Sequence, residues 1–297
     1  MKYIRKAVTG VVLVAIGLSV FRSPSLAQDT SLVVPGATVR RLATGFGFLE
    51  GPAADPDGNL FFTDIPNERI HRWSLPDGVT LFHERSGRAN GLRFDLDGNL
   101  LVCEMGNRRV TSIDPRGVLT ILADRFEGHR FNSPNDLWVD PRGGIYFSDP
   151  RYGAIDDQEI DGYHVYYIHP DRARILQVTS DLVRPNGLIG TPDGSRVYIA
   201  DHGGGRTYTY TPNPDGTLSN KRLFVAQGSD GMAMDERGNV YLTGQDVTIY
   251  NPDGEPISSI AIPEVPANLT FGGAEGTTLF ITARTSLYAV EMTVTGQ

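Results

Sequence analysis

GPAADPDGNLFFTD, residues 51–64, follows a simple plan: a short apolar approach, the turn Asp55-Pro56-Asp57-Gly58, and a run of β-forming residues that ends on an acid. The plan returns as GLRFDLDGNLLVCE from Gly91, DLWVDPRGGIYFSD from Asp136, GLIGTPDGSRVYIAD from Gly187 and GMAMDERGNVYLTG from Gly231. A looser copy, LTFGGAEGTTLFITAR, starts at Leu269. Each is a hairpin signal in which glycine supplies the positive φ of the turn. Between the copies stand further short strands, such as Arg69 to Trp73 and Val79 to Phe82 around the turn Pro76-Asp77-Gly78. Four strands per unit and a period of roughly 40–50 residues are the dimensions of a propeller blade. No sustained helical period competes with this pattern. The sequence therefore predicts one all-β domain over residues 28–297, a six-bladed β-propeller with four-stranded blades.

Residues 1–27 have the layout of a secretory signal: basic Lys2, Arg5 and Lys6, the apolar run VVLVAIGLSV, and the small-x-small site Ser25-Leu26-Ala27. The run is too short for a standard membrane span, which needs about 20 apolar residues. An uncleaved anchor is the alternative; the expectation is an exported chain, periplasmic or secreted, without stable membrane association. The segment holds four cations and no acid, so its removal takes the formal charge from -8 to -12. So acidic a chain suits neither nucleic-acid backbones nor anionic lipid, and favours small molecules or cations. Cys103, the single cysteine, excludes an intrachain disulfide and reads as a small buried hydrophobe.

Glu50, Asn90, Asn135, Asn186, Asp230 and Asn268 stand immediately before the six repeats. One Asn before Gly is an ordinary turn pair. A side-chain oxygen at all six equivalent positions is different, because the innermost strand of every blade borders the central channel and its entrance residues form a ring. Two carboxylates and four amides make a hard-oxygen set suited to one divalent metal ion, Ca²⁺ first, with Mg²⁺, Mn²⁺ or Zn²⁺ as alternatives. The absence of His and Cys at these positions argues against a zinc or copper preference. The turns at Asp55 and Asp95 lack the flanking helices and twelfth-position Glu of a calcium loop. Asp64, Glu104, Asp149 and Asp201 end the second strands and are expected to rim the same funnel. The long connection from Pro150 to Gly162 reads as a lid or specificity element. Of the histidines, His129 and His202 are placed to reach the funnel.

In the stretches LEGPAADPDGNLFFTDIPNERIHRW (49–73), CEMGNRRV (103–110), LADRFEGHRFNSPNDLWV (122–139), RPNGL (184–188), SDGMAMDERGNVYL (229–242) and PANLTFGGAEGTTLFITARTSLYAV (266–290), the chain resembles the gluconolactonase branch of the senescence-marker-protein/regucalcin superfamily. The resemblance implies a metal-dependent lactonase acting on a small-molecule lactone, with Glu50, Asn135, Asn186 and Asp230 holding the metal and Asp230 as general base. Asn90 and Asn268 are then expected to orient water or substrate, with Asp149 and His202 as further substrate contacts. Family members often carry His where this chain has Met105, which points to a different or less polar lactone.

No G-x-S-x-G, H-E-x-x-H or phosphate-binding glycine loop offers another chemistry. Two further readings stay open: a hydrolase of other esters or organophosphates on the same ring, and a calcium-stabilised propeller that binds a ligand or protein without catalysis. The signal reading makes a direct prediction: the exported chain, analysed by intact-mass spectrometry, begins at Gln28, and a chain that retains Met1 contradicts it.

Overall fold

The repeated turns close their hairpins with one set of bonds. Asp55 N–H donates to Asn59 O at 2.9 Å, Asn59 N–H donates to Asp55 Oδ1 at 2.8 Å, and Gly58 sits at φ +83°. The Asp95 turn repeats this with Asn99 N–H at 2.9 Å from Asp95 Oδ1 and Gly98 at φ +81°. In two blades a tyrosine hydroxyl also bonds the second carboxylate oxygen. Tyr167 OH donates to Asp140 Oδ2 at 2.8 Å and Tyr241 OH to Asp235 Oδ2 at 3.0 Å, so buried tyrosines find their partners in the turn acids.

The structure is a computed structural model that describes residues 32–297. The expected signal, residues 1–27, lies outside the described residues. Six four-stranded antiparallel sheets form the six blades, with no helix among the described residues. Their innermost strands are Leu49–Ala54, Ala89–Phe94, Leu137–Val139, Pro185–Gly190, Met232–Met234 and Pro266–Gly272. In each of the first five blades the chain runs outward strand by strand, ending on an exposed edge such as Gly78–Glu84. The sixth blade is closed by both ends of the domain. Arg40–Thr44 pairs with Ser286–Glu291 as its outermost strand, which locks the ring and removes the open ends a partial propeller would have.

Apolar residues are shared between blades rather than kept within them. Leu49, Leu60 and Phe62 pack against Phe280 and Leu287 across the first and last blades. Trp138, Tyr146, Ile189, Tyr198 and Met232 join the third, fourth and fifth. Fully burying a side chain of this size contributes about 1.5–3 kcal/mol, so each blade is stable only against its neighbours. Cys103 belongs to this core beside Leu101, Leu137 and Phe147, where burial pushes its thiol up and leaves it inert.

The innermost strands approach one another closely at the glycines that follow the ring positions. A Cβ added to Gly51 would stand 1.9 Å from Asn90 O; one on Gly91 would stand 2.5 Å from Asn135 O, and one on Gly187 2.6 Å from Asp230 O. Gly231 N–H donates to Ala267 O at 2.8 Å, and a Cβ there would meet the Asn268 amide at 2.1 Å. Gly51 also lies at φ +42°. Gly51→Ala combines backbone strain with a clash against a carbonyl oxygen and is expected to cost about 3 kcal/mol. Calorimetry of the variant should show a melting temperature lower by about 5 °C or more; an unchanged melting temperature contradicts this account of blade spacing.

Candidate active site

Register breaks at the start of the innermost strands turn the six ring positions toward the channel. Pairing skips between Glu50 and Ala53, Ala89 and Leu92, Pro185 and Leu188, and Pro266 and Asn268. The strands of the third and fifth blades start later, leaving Asn135 and Asp230 just ahead of them. Bulged or irregular backbone re-aims side chains at such points. Glu50, Asn90, Asn135, Asn186 and Asn268 are buried, and Asp230 keeps some surface open to the channel.

Contacts among these residues tie neighbouring blades together around the opening. Asn186 Nδ2 donates to Asp230 Oδ1 at 2.6 Å. Glu50 accepts from the Asn268 amide and from its neighbour Gly51 N–H, the latter at 2.9 Å. Asn90 Nδ2 donates to Met105 Sδ at 3.1 Å, so the thioether occupies the place beside Asn90. Sulfur is a weak acceptor, and Asn90 Oδ1 is buried with no hydrogen-bond partner. His202 reaches the ring, its Nδ1 lying 3.4 Å from Asn186 Nδ2. His129 does not; it opens the second strand of a separate small hairpin, where it pairs with Phe126.

Asp149 is a correction to the expected substrate contacts. Its carboxylate is fully buried and accepts from Asn132 N–H at 2.7 Å and Ser133 N–H at 2.6 Å. Asp64 does the same for Gly47 and Phe48, and Asp201 for Val183 and Arg184. These acids staple the loops that lead into Glu50, Asn135 and Asn186, so they position the ring without facing the funnel. Glu104 is likewise consumed, by Arg109, Thr111 and Asn107.

Three participants escape the repeat analysis. Asp136 replaces the glycine found after the ring residue in four other blades, a substitution visible in the sequence, and its carboxylate is partly offset by Arg93. Tyr152, on the long connection, accepts through its hydroxyl from Asn186 Nδ2 at 2.9 Å and shares a hydrogen bond with His202 Nδ1 at 3.3 Å. Arg184 stacks its guanidinium on Tyr152, 5.1 Å from the ring centroid. The connection carrying Tyr152 is clamped at its far end, where Arg108, Arg130 and Arg151 meet Asp157 and Glu159.

The acids repel one another. Burial, then the charge of Asp230, holds the Glu50 carboxyl well above its usual range. Asp136 is pushed up to about 7, chiefly by burial. Burial also raises Asp230, against the pull of His202, the Asn186 amide and Arg284. A dication would relieve this crowding, and the donors fit one: carboxylates of Glu50 and Asp230, with amide oxygens from Asn186 and Asn135. Among the described residues no three His, Cys, Asp or Glu side chains gather at ligating reach, so amides must complete any metal set.

Fold and site together define a six-bladed propeller with an axial acid–amide centre. The chain belongs to the SMP-30/gluconolactonase/LRE-like family, whose model matches residues 48–285. It is 31% identical to a gluconolactonase of Zymomonas mobilis over 277 residues, covering 82% of this chain and 78% of that one. A lactonase of Staphylococcus saprophyticus is 27% identical, with 72% and 70% covered. The solved structure of a gluconolactonase from Xanthomonas campestris superposes with a TM-score of 0.82 at 28% identity, over 89% of this chain and 91% of that one.

The buried acids make stability depend on pH. With folded pKa values above the unfolded ones, the native state binds more protons than the unfolded chain between about pH 4 and 8, so stability falls as pH rises. Chelator-treated protein should lose on the order of 1 kcal/mol per pH unit from pH 5 to 8 in urea titrations. Asp136→Asn should flatten the slope; stability that rises over this range contradicts the assignment.

Proposed function

We propose that this protein, a hydrolase of lactone esters, opens a sugar lactone of the gluconolactone type by attack of a water that loses its proton to Asp230, in a centre that holds one divalent metal. The observation that carries the reading is the Glu50–Asp230 carboxylate pair at the axial opening, with Asp230 bonded to the Asn186 amide, in a chain of this family. Glu50, Asn135, Asn186 and Asp230 would hold the ion, calcium ahead of magnesium, manganese or zinc. Bound there it supplies a Lewis acid for the ester carbonyl and lowers the pKa of water.

The chain's own residues supply the rest. Asp230 combines access to the channel with a raised proton affinity, the two properties a general base needs. His202, beside it, favours the ionised carboxylate and so keeps the base available. Water adds to the carbonyl carbon, the ring C–O bond breaks, and the released oxygen takes up the proton, giving the hydroxy acid. Asn90 Oδ1, buried and unpartnered, is free to accept from a sugar hydroxyl, and Asn268 and Asn186 stand at equivalent positions of the ring. Met105 narrows this side with an apolar, weakly accepting group where an imidazole would donate and accept strongly. An exported location is part of the proposal and rests on residues 1–27.

Lactone opening followed by pH-stat, with and without chelator and with each of the four metals restored, tests the reading. Asp230→Asn should lower kcat by about 10²–10⁴ while the variant remains folded. A variant with unchanged turnover removes Asp230 as the base, and a protein that opens no aldonolactone with any of the metals overturns the reading in favour of a binding propeller.

A further inference from the structure

Arg184 differs from the three arginines that clamp the long connection. Arg108, Arg130 and Arg151 each meet Asp157 or Glu159. Arg184 has no carboxylate within ion-pair distance among the described residues, in a chain with 35 acids against 27 Lys and Arg where such a partner is easily found. Its Nε is buried and unbonded.

Yet the side chain is held. The backbone is pinned at both ends, Arg184 N–H donating to Asp201 Oδ1 at 2.8 Å and its carbonyl accepting from Gly203 N–H at 3.3 Å. The guanidinium carbon lies 5.1 Å from the Tyr152 ring centroid and 5.5 Å from that of Tyr163. Tyr152 in turn anchors to Asn186 in the ring through its hydroxyl, and feels the charges of Asp230, Arg184 and Glu50 together. The cation therefore stands one tyrosine ring away from the reacting centre. Stacking fixes the plane of a guanidinium and leaves its edge donors free, the geometry that meets a planar or tetrahedral anion with two parallel bonds. A neutral lactone offers only hydroxyls and leaves the charge unanswered.

Resting on the lactonase reading above, we propose that Arg184 is a specificity residue that selects lactones bearing an anionic substituent, a carboxylate or sulfonate, on the part of the sugar remote from the scissile ester. Tyr152 and Tyr163 are its positioning residues. The loop of residues 150–162 thus contributes to substrate choice by holding the arginine's orientation.

The test compares kcat/KM for glucono-1,5-lactone with that for a monoanionic glucarolactone, at saturating Ca²⁺, in the wild type, Arg184→Gln and Arg184→Lys. The wild type should prefer the anionic lactone by about tenfold or more, a preference that shrinks in high salt because the recognition is ionic. Arg184→Gln should lose at least about tenfold of that ratio, and Arg184→Lys should recover part of it. A structural role would lower both substrates alike and leave the ratio intact; that result, or a wild type without preference, overturns the proposal. If the wild type opens neither lactone, the lactonase reading fails. Calorimetric binding of the dianion glucarate then decides the inference alone: weaker binding to Arg184→Gln supports it, and equal binding overturns it.

Discussion

Everything at the axial opening depends on how closely neighbouring innermost strands can approach. At Gly51, Gly91, Gly187 and Gly231 the backbone of one blade lies against the ring residue of the next with no room for a Cβ. Larger residues at these four points would widen the circle and pull the ring side chains apart. The glycines thus set the diameter of the site, and interblade packing of residues such as Trp138, Tyr198 and Phe280 holds the blades at that spacing.

Such spacing has an electrostatic consequence. Carboxylates from the first, third and fifth blades are brought into mutual repulsion in a poorly solvated channel, and burial dominates the raised proton affinity of all three. Sites that hold this kind of tension are where function is built. Here the tension suits both a dication and a carboxylate that takes a proton from water. The stapling acids Asp64, Asp149 and Asp201 have the opposite role. They spend their lone pairs on backbone N–H groups, fix the approach of three ring residues and stay out of the chemistry.

On the proposed reading, specificity is set away from the ring. Met105 closes one side of Asn90, while on the other side the long connection after Asp149 brings Tyr152 against Asn186 and cradles Arg184. A fold that fixes its reaction centre by symmetry leaves substrate choice to the loops, which differ from blade to blade.

The sequence alone determined the blade count, the turn chemistry and the identity of the six ring positions, because each is a local pattern repeated at a readable period. Even Asp136 was legible as a break in the glycine series. What it did not determine is which way a polar side chain faces. Asp149 and Asp230 are both acids beside a strand end, and only the register decides that one is consumed by Asn132 and Ser133 while the other opens to the channel. Tyr152 and Arg184 lie 34 and 2 residues from Asn186 in the chain, and no period relates them. Their meeting is a product of tertiary structure, since the long loop must fold back across the opening before the hydroxyl finds the amide and the guanidinium finds the ring.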